Sequence, residues 1–537
     1  MSELLREARS YESEAGKKIR PQERPSFHLT PRAGWMNDPN GFISYKGMYH
    51  LFYQYYPYRS AWGSMHWGHA VSSDLLHWSF LPAAMAPDEV YDHDGCFSGS
   101  AVTLLDGRLM LMYTGERKEE MPDGRETDIQ TQCLAFGDGT DFVKYEGNPV
   151  LNGSVLPEGG SRADFRDPKI WQEKDGTYAC VIANRSSDGS GQILLFRSAD
   201  AVQWKFGSVL ASNRNRFGRM WECPDFFELD GKWVLLASAQ QMLADGGEYH
   251  GGYGTLCMIG NCSPQDGHFV EETIHPIDSG LDFYATQTLL APDGRRIMVG
   301  WMQNWDTVPL LMPDTKWFGQ MSLPRELSVK DGRLIQMPVR EINACRKDEV
   351  VYENEAVTGG KTFPKIKGRW ADIELTVNFK AGKIPEHEGN NDNEGTPDRI
   401  YSCSRFEFRF AKDNQFYTSV TYTPADSMLI FDRTFSGSRR DMIDSRKCRT
   451  DLQDGILKLR IILDLFSAEV FVNDGRQVLS SVIYTEPSAD QMSFSAEGTV
   501  MIDIKKYDIS TDESIPVCRN AIYRKKNLSV KRGEQKT

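Results

Sequence analysis

Three carboxylates stand in short motifs that restrict their freedom. They are Asp38 in Trp35-Met36-Asn37-Asp38-Pro39-Asn40-Gly41, Asp167 in Asp164-Phe165-Arg166-Asp167-Pro168, and Glu222 in Trp221-Glu222-Cys223-Pro224-Asp225. Pro39 fixes φ and Gly41 relaxes it, so Asp38 is expected at a rigid point of the chain. Arg166 can hold a neighbouring carboxylate ionised and can itself bond a ligand hydroxyl. Glu222 lies between an indole and a thiol, the apolar neighbourhood a general acid uses. Each motif alone also has a plain structural explanation: an Asx-type turn, an ion pair, a rim contact. Two carboxylates converging on one pocket are the minimum equipment for glycoside hydrolysis, and a third can bind substrate hydroxyls.

A repeat supplies the convergence. Asp38, Ser98, Asp167, Glu222 and Ala285 each precede a glycine by nine positions: Gly47, Gly107, Gly176, Gly231 and Gly294. A second apolar run follows each glycine, so every copy reads as strand, tight turn, strand. Five copies with almost no helical periodicity predict a five-bladed β-propeller over residues 26–335, and a radial repeat gathers equivalent positions at its hub.

After the propeller, 336–365 is expected to bridge to a second unit. Residues 366–515 show period-2 alternation, as in ADIELTVNF and RFEFRF, with Asn473-Asp474-Gly475 as a hairpin turn. They predict a C-terminal antiparallel β-sandwich, making the chain all-β. Residues 1–25 read as a polar leader with a short helix over 3–14. A mobile loop is expected at 381–399 and a basic surface tail at 516–537.

The formal net charge of −13 over 537 residues argues against nucleic acid or an anionic membrane as partner. Ten cysteines without a C-x-x-C pair point to free thiols in a reducing compartment. The N-terminus lacks a secretory core and no run of 18 apolar residues exists, so a cytoplasmic protein is expected. His66 and His69 fall three apart in a predicted strand and face opposite sides, which does not suit one metal ion.

The motifs W-M-N-D-P-N-G, F-S-G-S, F-R-D-P, W-E-C-P-D and M-H-W-G-H-A-V-S-S-D-L-L-H-W resemble glycoside hydrolase family 32, the β-fructofuranosidases, over residues 26–510. The resemblance implies Asp38 as nucleophile, Glu222 as acid/base and Asp167 as transition-state stabiliser with Arg166 beside it. It implies Asn37, Gln54, Trp62 and Ser98 as lining of a fructose pocket, and neither metal nor cofactor. The family retains configuration, which calls for Asp38 and Glu222 carboxyls about 5–5.5 Å apart. Tyr56 and Ser238-Ala239-Gln240-Gln241 depart from common family patterns where the leaving group sits. The expected substrates are small carbohydrates: sucrose and short fructo-oligosaccharides. Sucrose 6-phosphate hydrolysis, with Arg59 and Lys118 as phosphate candidates, and fructosyl transfer are the alternatives; a non-catalytic fructan-binding propeller is a remote one.

Overall fold

The computed structural model describes residues 1–263, 267–308, 315–380, 402–438 and 443–510. Five separate antiparallel sheets of about four strands follow one another along the first part of the chain. Their innermost strands are Gly34–Tyr45, Gly95–Thr103, Phe165–Gln172, Trp221–Leu229 and Tyr284–Leu290. The five repeat glycines each lie in the turn to the second strand, with φ of 79°, 83°, 88°, 77° and 87°. A Cβ at any of them would meet nothing within 4 Å, so it is the left-handed backbone, not space, that selects glycine.

The innermost strands touch in chain order, and the fifth returns to the first. This closes a five-bladed propeller. Trp35 seals the join: its ring lies 4.8 Å from Phe318 and 6.1 Å from Trp301, and Gly34 pairs in parallel with Trp317.

Every innermost strand is bulged at or just after the repeat position. Residues 37–38, 98, 167–168, 223–224 and 285–286 each put one more residue on the inner strand than on its partner. Prolines at 168 and 224 fit there because a bulged residue owes no ladder hydrogen bond. A bulge breaks the in–out alternation and re-aims a side chain. Asp167, Cys223 and Ala285 show the local distortion directly, with φ of 63°, 48° and 53°.

The remaining strands form one ten-stranded sheet that folds over itself as a sandwich. The long strand Gln491–Ile509 pairs through one half with Ala371–Asn378 and through the other with Cys403–Lys412. Both layers bury apolar side chains in a shared core, including Ile373, Leu375, Phe406, Phe408, Leu459 and Phe494. The expected bridge over 336–365 is much shorter. Arg333–Pro338 closes the fifth blade, and Arg346–Lys361 is already a strand along the outer edge of Gln491–Ile509. Its charged sequence conceals that role because an exposed edge strand is kept polar. The 381–399 loop and the 516–537 tail fall outside the described residues.

The N-terminal stretch is docked rather than loose. Helix Glu3–Gly16 is capped by Ser2, and buried Glu12 accepts the Ala83 amide at 2.9 Å while Arg9 Nε donates to the Ala83 carbonyl at 2.8 Å. Between propeller and sandwich runs a buried ionic network. His28 bonds Asp464 (2.8 Å) and Glu469 (3.0 Å), and Arg325 bonds Glu469 (2.7 Å) and Asp278 (3.1 Å).

Candidate active site

At the end of the propeller axis where the innermost strands begin lies a pocket of about 490 Å³. Asn37, Asp38, Gln54, Trp62, Ser98, Arg166, Asp167 and Glu222 all line it, although they come from four blades. Ring closure brings the blades together, and the bulges turn the side chains toward the axis.

Asp38 is fixed by its neighbours. Oδ2 accepts the Ser98 hydroxyl at 2.7 Å and Oδ1 the Asn37 side-chain amide at 3.0 Å; Asn37 is itself held by the Trp35 indole at 2.7 Å. The Cys223 thiol lies 3.4 Å from Asp38 Oδ2, and the Cys223 amide donates to Asp167 Oδ2 at 2.9 Å. One bulged residue of the fourth blade therefore ties together carboxylates of the first and third. Asp167 also donates its amide to Thr114 Oγ1 at 3.0 Å.

Glu222 is gripped from two sides. Arg166 Nε and Nη2 both donate to Oε1, at 3.1 and 3.0 Å, and the Tyr284 hydroxyl donates to Oε2 at 2.7 Å. Burial raises the Asp38 carboxyl, aided by the charge of Glu222 and opposed by the Ser98 hydrogen bond. Burial pushes Asp167 up to about 7, with Arg166 opposing and Glu222 reinforcing. Arg166 is raised despite burial because three carboxylates surround it, and it remains a fixed cation.

The 28–338 segment matches the family model for the glycosyl hydrolases family 32 N-terminal domain, and 341–511 matches the family 32 C-terminal model. The chain belongs to glycoside hydrolase family 32. It is 37% identical to a sucrose-6-phosphate hydrolase of Escherichia coli over 484 residues, covering 89% of this chain and 93% of that one. It is 38% identical to a raffinose invertase of Escherichia coli over 492 residues, with 89% and 93% covered. A solved family 32 β-fructofuranosidase of Bombyx mori superposes with a TM-score of 0.77 at 35% identity, covering 94% of this chain and 98% of that one.

The family 32 pocket of this chain contains side chains that the motifs did not single out for it. Asp128, Gln130, Asp164 and Tyr253 also line it. In the fifth blade, Trp305 lines the pocket while Trp301 is buried in the closure cluster with Trp35. Gln240, within the unusual Ser238-Ala239-Gln240-Gln241 run, is a pocket residue, whereas Tyr56 packs beside Tyr58. Behind Asp128 and Gln130 sits buried Glu116, whose carboxyl is pushed up to about 8 by burial and by the charge of Asp128. Tyr284, next to the fifth repeat position, had no signal in the sequence because its partner Glu222 belongs to another blade. His69 bonds His50 at 3.0 Å and stacks on Phe52 at 4.0 Å, and His66 bonds the Ser64 carbonyl. Both histidines are structural.

Proposed function

We propose that this chain is a retaining β-fructofuranosidase releasing terminal non-reducing fructosyl units from sucrose and short fructo-oligosaccharides. The observation that carries the reading is the meeting of Asp38, Asp167 and Glu222, from three blades, in one pocket with interlocking hydrogen bonds.

Asp38 attacks the anomeric carbon of the fructosyl unit. As that bond forms, the glycosidic C–O bond breaks and Glu222 passes its proton to the departing oxygen. Glu222 then takes a proton from water, whose oxygen displaces Asp38 and frees fructose with configuration retained. Asp167, held by the Cys223 amide, binds fructosyl hydroxyls and offsets the positive charge that develops on the ring. Ser98 and Asn37 orient the nucleophile, and half-exposed Trp62 offers a ring face to the sugar at the rim.

Neutral sugars suit the pocket better than phosphorylated ones. Its described lining holds five carboxyl side chains and one cation, Arg166, which is already engaged by Glu222 and Asp164. Lys118 pairs with Glu126 away from this lining, and Arg59 lies 5.7 Å over the Tyr56 ring. No disulfide joins the cysteines of the described residues to one another, which fits a reducing cytoplasm. No described helix is long and apolar enough to cross a membrane.

The test is activity of Asp38→Ala and Glu222→Ala, each expected to fold and to lose at least about a thousandfold in turnover. Azide should partly rescue Asp38→Ala. Near-normal turnover in either variant refutes the assignment. Product analysis on sucrose, 1-kestose, inulin, levan and sucrose 6-phosphate ranks the substrates and separates hydrolysis from transfer.

A further inference from the structure

Tyr253 enters the catalytic pocket from a strand that has no ladder partner at that point. Gly252–Ser263 pairs with Lys232–Met242, and the register steps from Ala239 with Gly254 to Met242 with Gly252. Gln240 and Gln241 thus stand opposite Tyr253 alone, and Gln241 shows the distortion with φ of 56°. The run Ser238-Ala239-Gln240-Gln241, unusual in sequence, is therefore a bulge in structure. A bulge releases backbone groups that must be satisfied elsewhere. Here the fifth blade satisfies them. The Tyr253 amide donates to Asp306 Oδ2 at 3.2 Å, and its carbonyl accepts the Asn304 side-chain amide at 2.8 Å.

The turn that grips Tyr253 is itself closed. The Asp306 amide donates to Asn304 Oδ1 at 2.8 Å, and the Thr307 amide to the Asn304 carbonyl at 3.0 Å. Gly252 lets the turn approach, since a Cβ there would fall 2.1 Å from Asp306 Oδ2. One short turn thus carries the pocket residue Trp305 and fixes the backbone of another, Tyr253. The Tyr253 ring in turn lies 5.8 Å from that of Tyr284, whose hydroxyl holds Glu222.

The other side of Asp306 belongs to the sandwich. Arg446, on the strand Ser445–Arg449, brings Nη2 to 3.8 Å from Asp306 Oδ2, the oxygen that takes the Tyr253 amide. The two side chains are only 11% and 22% exposed, so water screens their attraction weakly. Burial lowers the Arg446 guanidinium from its ordinary value, and the charge of Asp306 opposes the fall. From the same strand the Arg449 amide donates to the Gly247 carbonyl at 3.4 Å, in the loop leading to Gly252. Arg446 is not part of the pocket lining, so it acts on a substrate only through what it holds.

We propose that Asp306 and Arg446 are positioning residues for the leaving-group wall, and that through them the sandwich tunes which sugars the pocket prefers. The inference rests on the fructosidase reading, with Glu222 as the acid. In that reading the departing oxygen meets Glu222, so Tyr253 and Trp305 on the fourth and fifth blades face the departing sugar. Asp38 and Asp167, on the first and third, face the fructosyl unit. The pocket already holds five carboxyl side chains. A further carboxylate directly behind its wall is stabilised by a cation, and Arg446 supplies one.

The test compares full-length wild type with Arg446→Met, Asp306→Ala, their double variant and Arg446→Lys. Both single variants should shift the ratio of kcat/KM for sucrose to that for 1-kestose by at least about threefold, mainly through KM. The double variant should shift it no further than the singles, because the two residues act as one pair. Inhibition by free fructose, which fills only the fructosyl part of the pocket, should stay within about twofold. Arg446→Lys keeps the charge and should restore most of the wild-type ratio. A crystal structure of Arg446→Met should show the 304–307 turn and Tyr253 displaced, a readout that needs no turnover. A role in stability alone would lower melting temperature and reduce kcat equally on both sugars, and that result overturns the proposal. An unmoved turn overturns it as well. A wild type that releases fructose from neither sugar refutes the functional reading instead, and the position of the turn then decides whether Arg446 holds the wall.

Discussion

Tyr284 donates its hydroxyl to Oε2 of Glu222 at 2.7 Å, from the blade next to the one that carries the carboxyl. Burial and the neighbouring Glu222 charge push the phenol well above its ordinary value, so it remains a donor throughout the working pH range. With Arg166 on Oε1, the carboxyl plane of Glu222 is pinned from both sides.

With Glu222 as the proposed acid, that arrangement makes Tyr284 a positioning residue for proton transfer. Tyr284→Phe should lower kcat on sucrose by about a hundredfold with a smaller change in KM, because a displaced acid misses the departing oxygen. On an aryl fructoside, whose leaving group needs no proton, the loss should be much smaller. Equal losses on both substrates would show that the hydroxyl does something other than aim the acid.

The proposed mechanism needs Asp38 and Asp167 as anions, and both are held above the ordinary aspartate value of 3.8, Asp167 at about 7. Activity is therefore lost as pH falls through these raised values, and the acid limb of kcat/KM should lie between 3.8 and about 7. Ser98→Ala removes a hydrogen bond that favours the charged form of Asp38, so the limb should move to higher pH. A limb that stays put or moves down in that variant contradicts the account.

His28 ties the propeller to the sandwich. Burial disfavours its charge, yet hydrogen bonds to Asp464 and Glu469 outweigh it and raise the imidazole from 6.5 to about 9. A raised value means that the folded state holds the proton more tightly than the unfolded chain. The resulting stabilisation, on the order of 3 kcal/mol, is complete below pH 6.5 and lost as pH rises through about 9. Melting temperature across that window should fall in the wild type. His28→Gln should start lower and change less, and parallel curves would exclude this linkage.

In the proposed reading the sandwich supports the propeller rather than the chemistry. A chain ending at Cys345 leaves His28 and Arg325 without Asp464 and Glu469, and exposes the face covered by Ile462, Phe471 and Val478. Removing one partner of a buried ion pair typically costs about 3–5 kcal/mol. Expression of this truncated chain should give aggregates or a sharply lowered melting temperature. A soluble product that melts like the full chain would remove the structural role.

The strand–turn–strand repeat was legible residue by residue. Gly47, Gly107, Gly176, Gly231 and Gly294 announce turns because only glycine adopts φ near +80° without strain, and that demand is local. Position within the repeat also marked Asp38, Ser98, Asp167 and Glu222, since a closed ring superposes equivalent positions at its axis. What spacing along one chain does not encode is contact between blades. The Cys223 bridge from Asp38 to Asp167, the Tyr284 hold on Glu222 and the pocket places of Asp128 and Tyr253 arise only when the blades pack around a common axis. The strand Arg346–Lys361 was hidden for a related reason. An edge strand takes its structure from the hydrogen bonds of its partner, Gln491–Ile509, while most of its own side chains stay in water and only Val357 is fully buried.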